Sequence, residues 1–184
     1  MTENGDASKN WVCRDNHFSL MLGLFNSGWA TLELTTDFAI YKFLGVTPLQ
    51  AHLITGGLVF GRRAKLLADL VGRSDHPKKK EILATFQAVR SNNKRDVFAH
   101  SYIWSNSRIV RFIERPAGGN EATAKAHDFT LAEFEKHVSD FADKCVAFYS
   151  ALGCTYEEVQ AFGDAALSLD RKAKRSPGNP TSNS

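Results

Sequence analysis

The stretch KRDVFAHSYIW, at residues 94–104, brings together side chains that can carry out acid–base chemistry. Arg95, Asp96 and His100 lie within six residues of one another. An imidazole changes its protonation near neutral pH, and a guanidinium stabilises negative charge that develops on an oxygen atom. If the stretch is helical, Asp96 and His100 lie one turn apart, where a hydrogen bond would orient the ring. The spacing is therefore typical of a positioned acid–base group.

The same spacing also fits a structural histidine. If residues 77–101 form one helix, His100 falls on the buried apolar stripe with Phe86 and Val97, and Arg95 lies on the flank. A histidine near a helix end can be satisfied by its neighbours, and the helix dipole favours its charged form. The spacing alone leaves both interpretations open.

A second polar pair lies in the apolar stretch TLELTTDFAIYKF, where Glu33 and Asp37 are four residues apart. Like charges at this helical spacing are mildly destabilising unless a cation joins them. Arg62, Arg63 or Arg95 could supply that cation. Three interpretations of the pair stay open: it positions the residues of the first site, it belongs to a structural ion network, or it lies on a solvated helix face.

Other kinds of site find little support in the sequence. It has no metal-binding histidine pattern, so we expect neither a metal nor another cofactor. The stretch GGLVFGRR lacks the Lys-Ser/Thr ending of a phosphate-binding loop. Its glycines lie inside a predicted helix, where they indicate close packing against another helix. The three cysteines include no Cys-x-x-Cys pair, which favours a reducing cytoplasm. The polar start and the lack of a long apolar run predict no signal peptide and no membrane contact.

Three capping boxes mark helix starts, because in each a threonine is followed three residues later by Glu or Gln. They begin at Thr47, Thr130 and Thr155. Together with apolar periodicity they predict an all-α fold, an antiparallel up-and-down bundle of four to five helices. A small β-hairpin at about 103–114 would lie between helices three and four. The predicted helices cover residues 17–44, 48–72, 77–101, 131–152 and 156–172.

These elements predict one helical domain over residues 17–172, preceded by a flexible start at 1–16 and followed by a disordered tail at 173–184. Basic residues are concentrated before and within the first site. The window 78–95 holds six of the 23 Lys and Arg residues, with Glu81 as its only acid, although the net charge of the chain is only +3. The basic character is therefore local rather than global.

The sequence RDVFAH resembles the Arg-x4–6-His motif of the HEPN superfamily, in which a polar residue commonly follows the arginine. The flanking residues, Ala99, Ser101 and Trp104, resemble a variant found in many small bacterial members. In architecture the resemblance covers residues 17–152, and at residue level it covers 94–104. Asp96 stands where asparagine is commoner in the family.

The resemblance implies a metal-independent endoribonuclease that acts as a homodimer, with two motifs lining one cleft. A 2′-OH would attack the neighbouring phosphate, while His100 moves the proton, Arg95 stabilises the phosphorane and Asp96 orients His100. A role as a toxin or defence protein would add a neutralising partner protein. Candidate RNA contacts are Arg90, Asn92, Lys94 and Trp104, the last placed to stack on an unpaired base.

Two other functions fit the same residues. Some HEPN members have lost catalysis and bind a nucleotide or a protein partner through the same cleft. Alternatively, the chain is a helical interaction domain in which the RDxxxH residues form only a buried polar network. The motif does not separate these three functions.

Overall fold

The computed structural model describes residues 16–91, 93–105, 108–114 and 124–173. The chain is mostly helical and carries a small antiparallel sheet in the strand order β1-β2-β3. The helices of the described residues are α1 (Asn16–Leu44), α2 (Pro48–Thr55), α3 (Phe60–Arg73), α4 (Lys79–Arg90), α5 (Arg95–His100), α6 (Leu131–Leu152) and α7 (Tyr156–Ala173). The strands are β1 (Tyr102–Ser105), β2 (Ile109–Glu114) and β3 (Lys125–Thr130).

All three predicted capping boxes are confirmed. The Thr47 hydroxyl accepts a hydrogen bond from the Gln50 backbone, and the Gln50 side chain accepts one from the Thr47 backbone. Thr130 begins α6 through the same reciprocal bonds, and Thr155 begins α7. Each box satisfies backbone donors that the first turn of a helix leaves without partners, so these starts are fixed locally.

Two of the predicted helices are each divided in two. The helix expected over residues 48–72 is interrupted between α2 and α3, at Gly56 and Gly57. Glycine costs a helix about 1 kcal/mol relative to alanine, and two in succession favour a break. The assignment of these glycines to close packing inside one helix was therefore wrong. The helix expected over 77–101 is interrupted between α4 and α5.

The sheet has three strands, whereas the sequence predicted a hairpin of two. Strand β2 pairs with β1 through Trp104 and Arg111, and with β3 through Arg111 and Asp128. Strand β3 has the sequence KAHDFT, in which only the last two residues, Phe129 and Thr130, favour a strand. It is held by its neighbours across the sheet, and this pairing has no signal in the local sequence.

Contacts divide the chain into two compact units, which are described separately. The first unit takes the chain up to Trp29 and Val89–Cys145, and the second takes Ala30–Ala88 and the chain from Val146 onward. In the first unit the Phe98 ring lies 4.7–5.8 Å from five other aromatic rings. Those rings belong to Phe25, Phe112, Phe129, Phe134 and His137.

The second unit has an aliphatic and aromatic core of its own. Phe86 stacks on Phe148 at 4.8 Å between ring centroids, and Phe38 meets Phe162 edge to face at 5.8 Å. Gly163 allows close approach here, because a Cβ at this position would lie 3.2 Å from Leu34. None of the described helices is long and apolar enough to cross a membrane.

Replacement of Phe98 by alanine should destabilise the protein by about 3–5 kcal/mol, because it leaves a cavity among five rings. Denaturant unfolding followed by circular dichroism measures this change. Val146→Ala is the control, since Val146 is 61% exposed on α6 and should change stability by at most about 0.5 kcal/mol. Equal effects of the two substitutions would contradict the role given to Phe98.

Candidate functional site

A turn at Asn93 and Lys94 precedes the motif and starts α5. The Asn93 side chain donates a hydrogen bond to the Arg90 carbonyl at 2.8 Å and accepts one from the Arg95 backbone N–H at 2.9 Å. Asparagine competes in this way with the backbone bonds of a helix, which explains the end of α4. Lys94 then adopts a left-handed conformation with φ 53°.

Because α5 begins at Arg95, the motif does not lie inside a long helix as predicted. Val97 and Phe98 are buried, whereas Asp96 and His100 are exposed. The prediction that His100 falls on the buried stripe was wrong, since it continued the period of α4 through the turn. The exposure also removes the interpretation of the RDxxxH residues as a buried polar network.

The Arg95 guanidinium is the centre of the site. Its Nη1 donates a hydrogen bond to Asp96 Oδ1 at 3.0 Å and lies 3.3 Å from His100 Nε2. The guanidinium carbon lies 5.8 Å from the centre of the Trp29 ring, within the range of a cation–π contact. About one third of the Arg95 side chain is exposed. Arg95 is therefore held in place but open to solvent.

The contact between Arg95 and His100 has a chemical consequence. A guanidinium has donors but no acceptor, so it can bond to Nε2 only when that nitrogen carries no proton. The contact is therefore a hydrogen bond when Nε2 is unprotonated. In this form Nε2 can take up a proton once Arg95 turns to another acceptor.

Asp96 has a different place from the one predicted. Its carboxylate binds Arg95 rather than the His100 ring, and its side chain is 88% exposed. The prediction that Asp96 orients His100 is therefore not met in this structure. The reason is that Arg95 and Asp96 both lie in the first turn of α5, where the guanidinium reaches Asp96 and the ring at once.

A cleft of about 460 Å³ opens beside the motif and is lined by Asp96, Ala99, His100, Ser101 and Glu114. The Ser101 hydroxyl oxygen is buried and has no hydrogen-bond partner among the described residues. The Glu114 carboxylate lies 3.1 Å from Nε2 of His127. Ser101, Glu114 and His127 were not among the site residues predicted from the sequence. Glu114 and His127 come together only through the pairing of β2 with β3.

The four residues predicted to contact RNA have different surroundings. The Lys94 ammonium lies 5.4 Å from the centre of the Phe129 ring, and Trp104 is 51% exposed on β1 with Arg111 at 6.0 Å from its ring. The carbonyl of Arg90 belongs to the turn that starts α5. Asn92 lies outside the described residues.

Glu33 and Asp37 form an ion cluster with Arg63 in the second unit. Arg63 Nη2 lies 2.7 Å from Glu33 and Nη1 lies 2.9 Å from Asp37. The three side chains are 13–27% exposed. Arg63 thus supplies the cation that the acidic pair requires, and the cluster fits the prediction of a structural ion network.

Burial raises the pKa of the Asp37 carboxyl above its ordinary value, and the charge and hydrogen bond of Arg63 oppose this rise. One Asp37 oxygen, Oδ1, is buried without a hydrogen-bond partner in the described part of the chain, as is Nε of Arg63. The cluster is therefore only partly satisfied. Within the described ranges no three His, Cys, Asp or Glu side chains converge as metal ligands would.

Comparisons of the chain with protein-family models, with curated proteins and with solved structures gave no match. The resemblance to the HEPN superfamily consequently stays a prediction that rests on residues 94–104.

Replacement of Arg63 by glutamine should destabilise the protein by about 1–3 kcal/mol at neutral pH, because two half-buried carboxylates lose their cation. Without Arg63 the pKa of Asp37 in the folded protein rises further above its unfolded value. The folded state then binds a proton more tightly, so stability falls as pH rises between those two values. The loss should accordingly be larger at pH 7 than at pH 4.

Urea unfolding of wild type and Arg63→Gln at both pH values measures this difference. Arg111→Gln is the matched control, because Arg111 also binds a carboxylate, that of Asp128, but at an exposed position. Its effect on stability should be much smaller. A loss for Arg63→Gln that does not change with pH would show that the charges of the cluster are not its cause.

Proposed function

We propose that the protein is a HEPN-like, metal-independent endoribonuclease that cleaves RNA by attack of a 2′-OH on the adjacent phosphate. The observation that carries the proposal is the 3.3 Å contact between Arg95 Nη1 and His100 Nε2, together with the open cleft that His100 lines. A cation and a proton carrier in contact are what this reaction requires. The proposal includes a HEPN-like antiparallel bundle arrangement of the main helices.

In this reaction the 2′ oxygen loses a proton and bonds to phosphorus, negative charge develops on the phosphorane, and the 5′ oxygen leaves with a proton. Arg95 can bind the phosphate because its side chain is partly exposed. When the phosphate takes over its donors, the Arg95 bond to His100 is released and the ring is free to carry a proton. Such preorganised charge typically contributes about 10²–10³-fold to the rate.

A non-catalytic module that binds a nucleotide or a protein partner is the second candidate. The observation in its favour is the bond between Asp96 and Arg95, since it neutralises part of the charge that a phosphorane would need. A nucleotide phosphate that displaces Asp96 would bind with modest strength. The two functions differ in one measurable result, the cleavage of RNA.

Wild-type protein should cleave single-stranded RNA in the presence of EDTA and leave 2′,3′-cyclic phosphate ends. Arg95→Ala and His100→Ala should each reduce kcat/KM by at least about 100-fold. The double variant should lose little more than either single variant, because both side chains act on one transition state. Labelled RNA analysed on denaturing gels, with mass spectrometry of the ends, gives these values.

Lys136→Ala serves as the control, because this exposed α6 residue pairs with Asp140 away from the cleft lining and should leave the rate unchanged. Thermal unfolding of each variant shows whether the fold is intact. A folded wild-type protein that is inert on structured and single-stranded RNA would reject the enzyme and leave the binding module.

The proposal also includes a homodimer in which the two 95–100 segments face each other. An isologous interface is the commonest closed form of a homo-oligomer. Light scattering at micromolar concentration should give twice the mass of the 20.4 kDa chain. RNA cleavage by a preparation that stays monomeric would contradict the dimer without contradicting the enzyme.

A further inference from the structure

A second carboxylate, that of Glu114, lines the same cleft as His100. Glu114 ends β2, and its side chain is 37% exposed, so a ligand in the cleft can reach it. A carboxylate repels the phosphates of RNA, so its presence beside a phosphate-binding arginine calls for a role other than binding the backbone. Accepting a proton is such a role.

Charged and titratable groups surround the Glu114 carboxylate. On β3, His127 Nε2 lies 3.1 Å from Glu114 Oε1, and Lys125 is its partner in the strand register. From α5, Asp96 and His100 line the other part of the cleft. These are the charged and titratable groups that the cleft lining and the strand pairing place around Glu114.

The chemistry of RNA cleavage requires two proton transfers. One group removes the proton from the 2′-OH, and another delivers a proton to the departing 5′ oxygen. Within one protomer, a single imidazole would have to perform both transfers at two oxygen atoms on opposite sides of the phosphorus. Two groups facing one cleft remove this conflict, since each can serve one oxygen.

The geometry points to Glu114 as the general base of the proposed ribonuclease and to the protonated His100 ring as its general acid. This assignment rests on the proposed function. The 2′-OH gives its proton to Glu114 as the O2′–P bond forms. His100 gives its proton to O5′ as the P–O5′ bond breaks, and solvent then returns both groups to their starting states.

The Ser101 hydroxyl supports the same use of the cleft. Its oxygen is buried, lines the cleft, and has no partner among the residues that the structure describes. A hydroxyl in this state can donate a hydrogen bond to a non-bridging phosphate oxygen.

Asp96 is less suited to the role of base than Glu114, although it lines the same cleft. One of its oxygens is bonded to Arg95, and its side chain is 88% exposed to solvent. A phosphate that binds Arg95 would also come close to Asp96 and disfavour its charge. Glu114 is more enclosed, with 37% of its side chain exposed, and its nearest charged or titratable neighbour, His127, lies on another strand.

A substrate that needs no acid tests the assignment directly. In a uridine 3′-(4-nitrophenyl phosphate) the phenolate leaves without a proton, while the 2′-OH must still lose one. Glu114→Gln should lower kcat/KM by at least about 100-fold on both RNA and this diester. His100→Ala should lose a comparable factor on RNA but much less on the diester. The reverse pattern would overturn the assignment.

Chemical rescue separates catalysis from structure. Formate added to Glu114→Ala should restore part of the activity, because a small carboxylate can enter the vacated space, and a merely structural residue would show no such gain. Glu135→Gln is the control, since Glu135 is a 55% exposed glutamate on α6 outside the cleft lining. It should behave as wild type.

The outcomes distinguish this inference from the proposed function. Wild-type cleavage with unchanged activity in Glu114→Gln would overturn the role of Glu114 and leave the ribonuclease standing. A wild-type protein that cleaves neither RNA nor the diester would overturn both. Loss of activity in Glu114→Ala without any gain from formate would indicate a structural role only.

Discussion

The burial of Phe98 is the constraint on which the motif depends. A helix of six residues is too short to be stable in water, so α5 exists because its apolar side chains pack against the first unit. The Phe98 ring meets rings from α1, β2, β3 and α6, and this fixes the rotation of α5. Because Phe98 must lie inside, the side chains on the other side of this short helix are directed outward. They belong to Arg95, Asp96 and His100.

The sequence predicted those elements whose signals are local. The capping boxes at Thr47, Thr130 and Thr155 need only four residues each, and all three were correct. The break before α5 also has a local signal, in the two asparagines at 92 and 93, but apolar periodicity outweighed it in the prediction. Strand β3 has no comparable signal, because its place depends on partners in β2.

The candidate site shows the same division. Arg95 and His100 were found from their spacing, and the structure brings their side chains into contact. Asp96 was found too, but its predicted partner, His100, was wrong. The Arg95 guanidinium lies within reach of the Asp96 carboxylate and binds it in place of the His100 ring. Glu114 and His127 are 13 residues apart, and no spacing rule joins them. Only the register of two strands places their side chains together.

The contacts of the motif contribute little to the stability of the folded protein. Exposed ion pairs typically contribute about 0–1 kcal/mol, and the left-handed backbone of a residue such as Lys94 costs about 1–2 kcal/mol. A non-glycine residue keeps this conformation only where its surroundings impose it, and here the Asn93 side chain and the burial of Phe98 do so. Backbone strain of this kind concentrates at sites that hold a ligand. The conformation of Lys94 thus belongs to the turn that starts α5, the short helix that exposes Asp96 and His100.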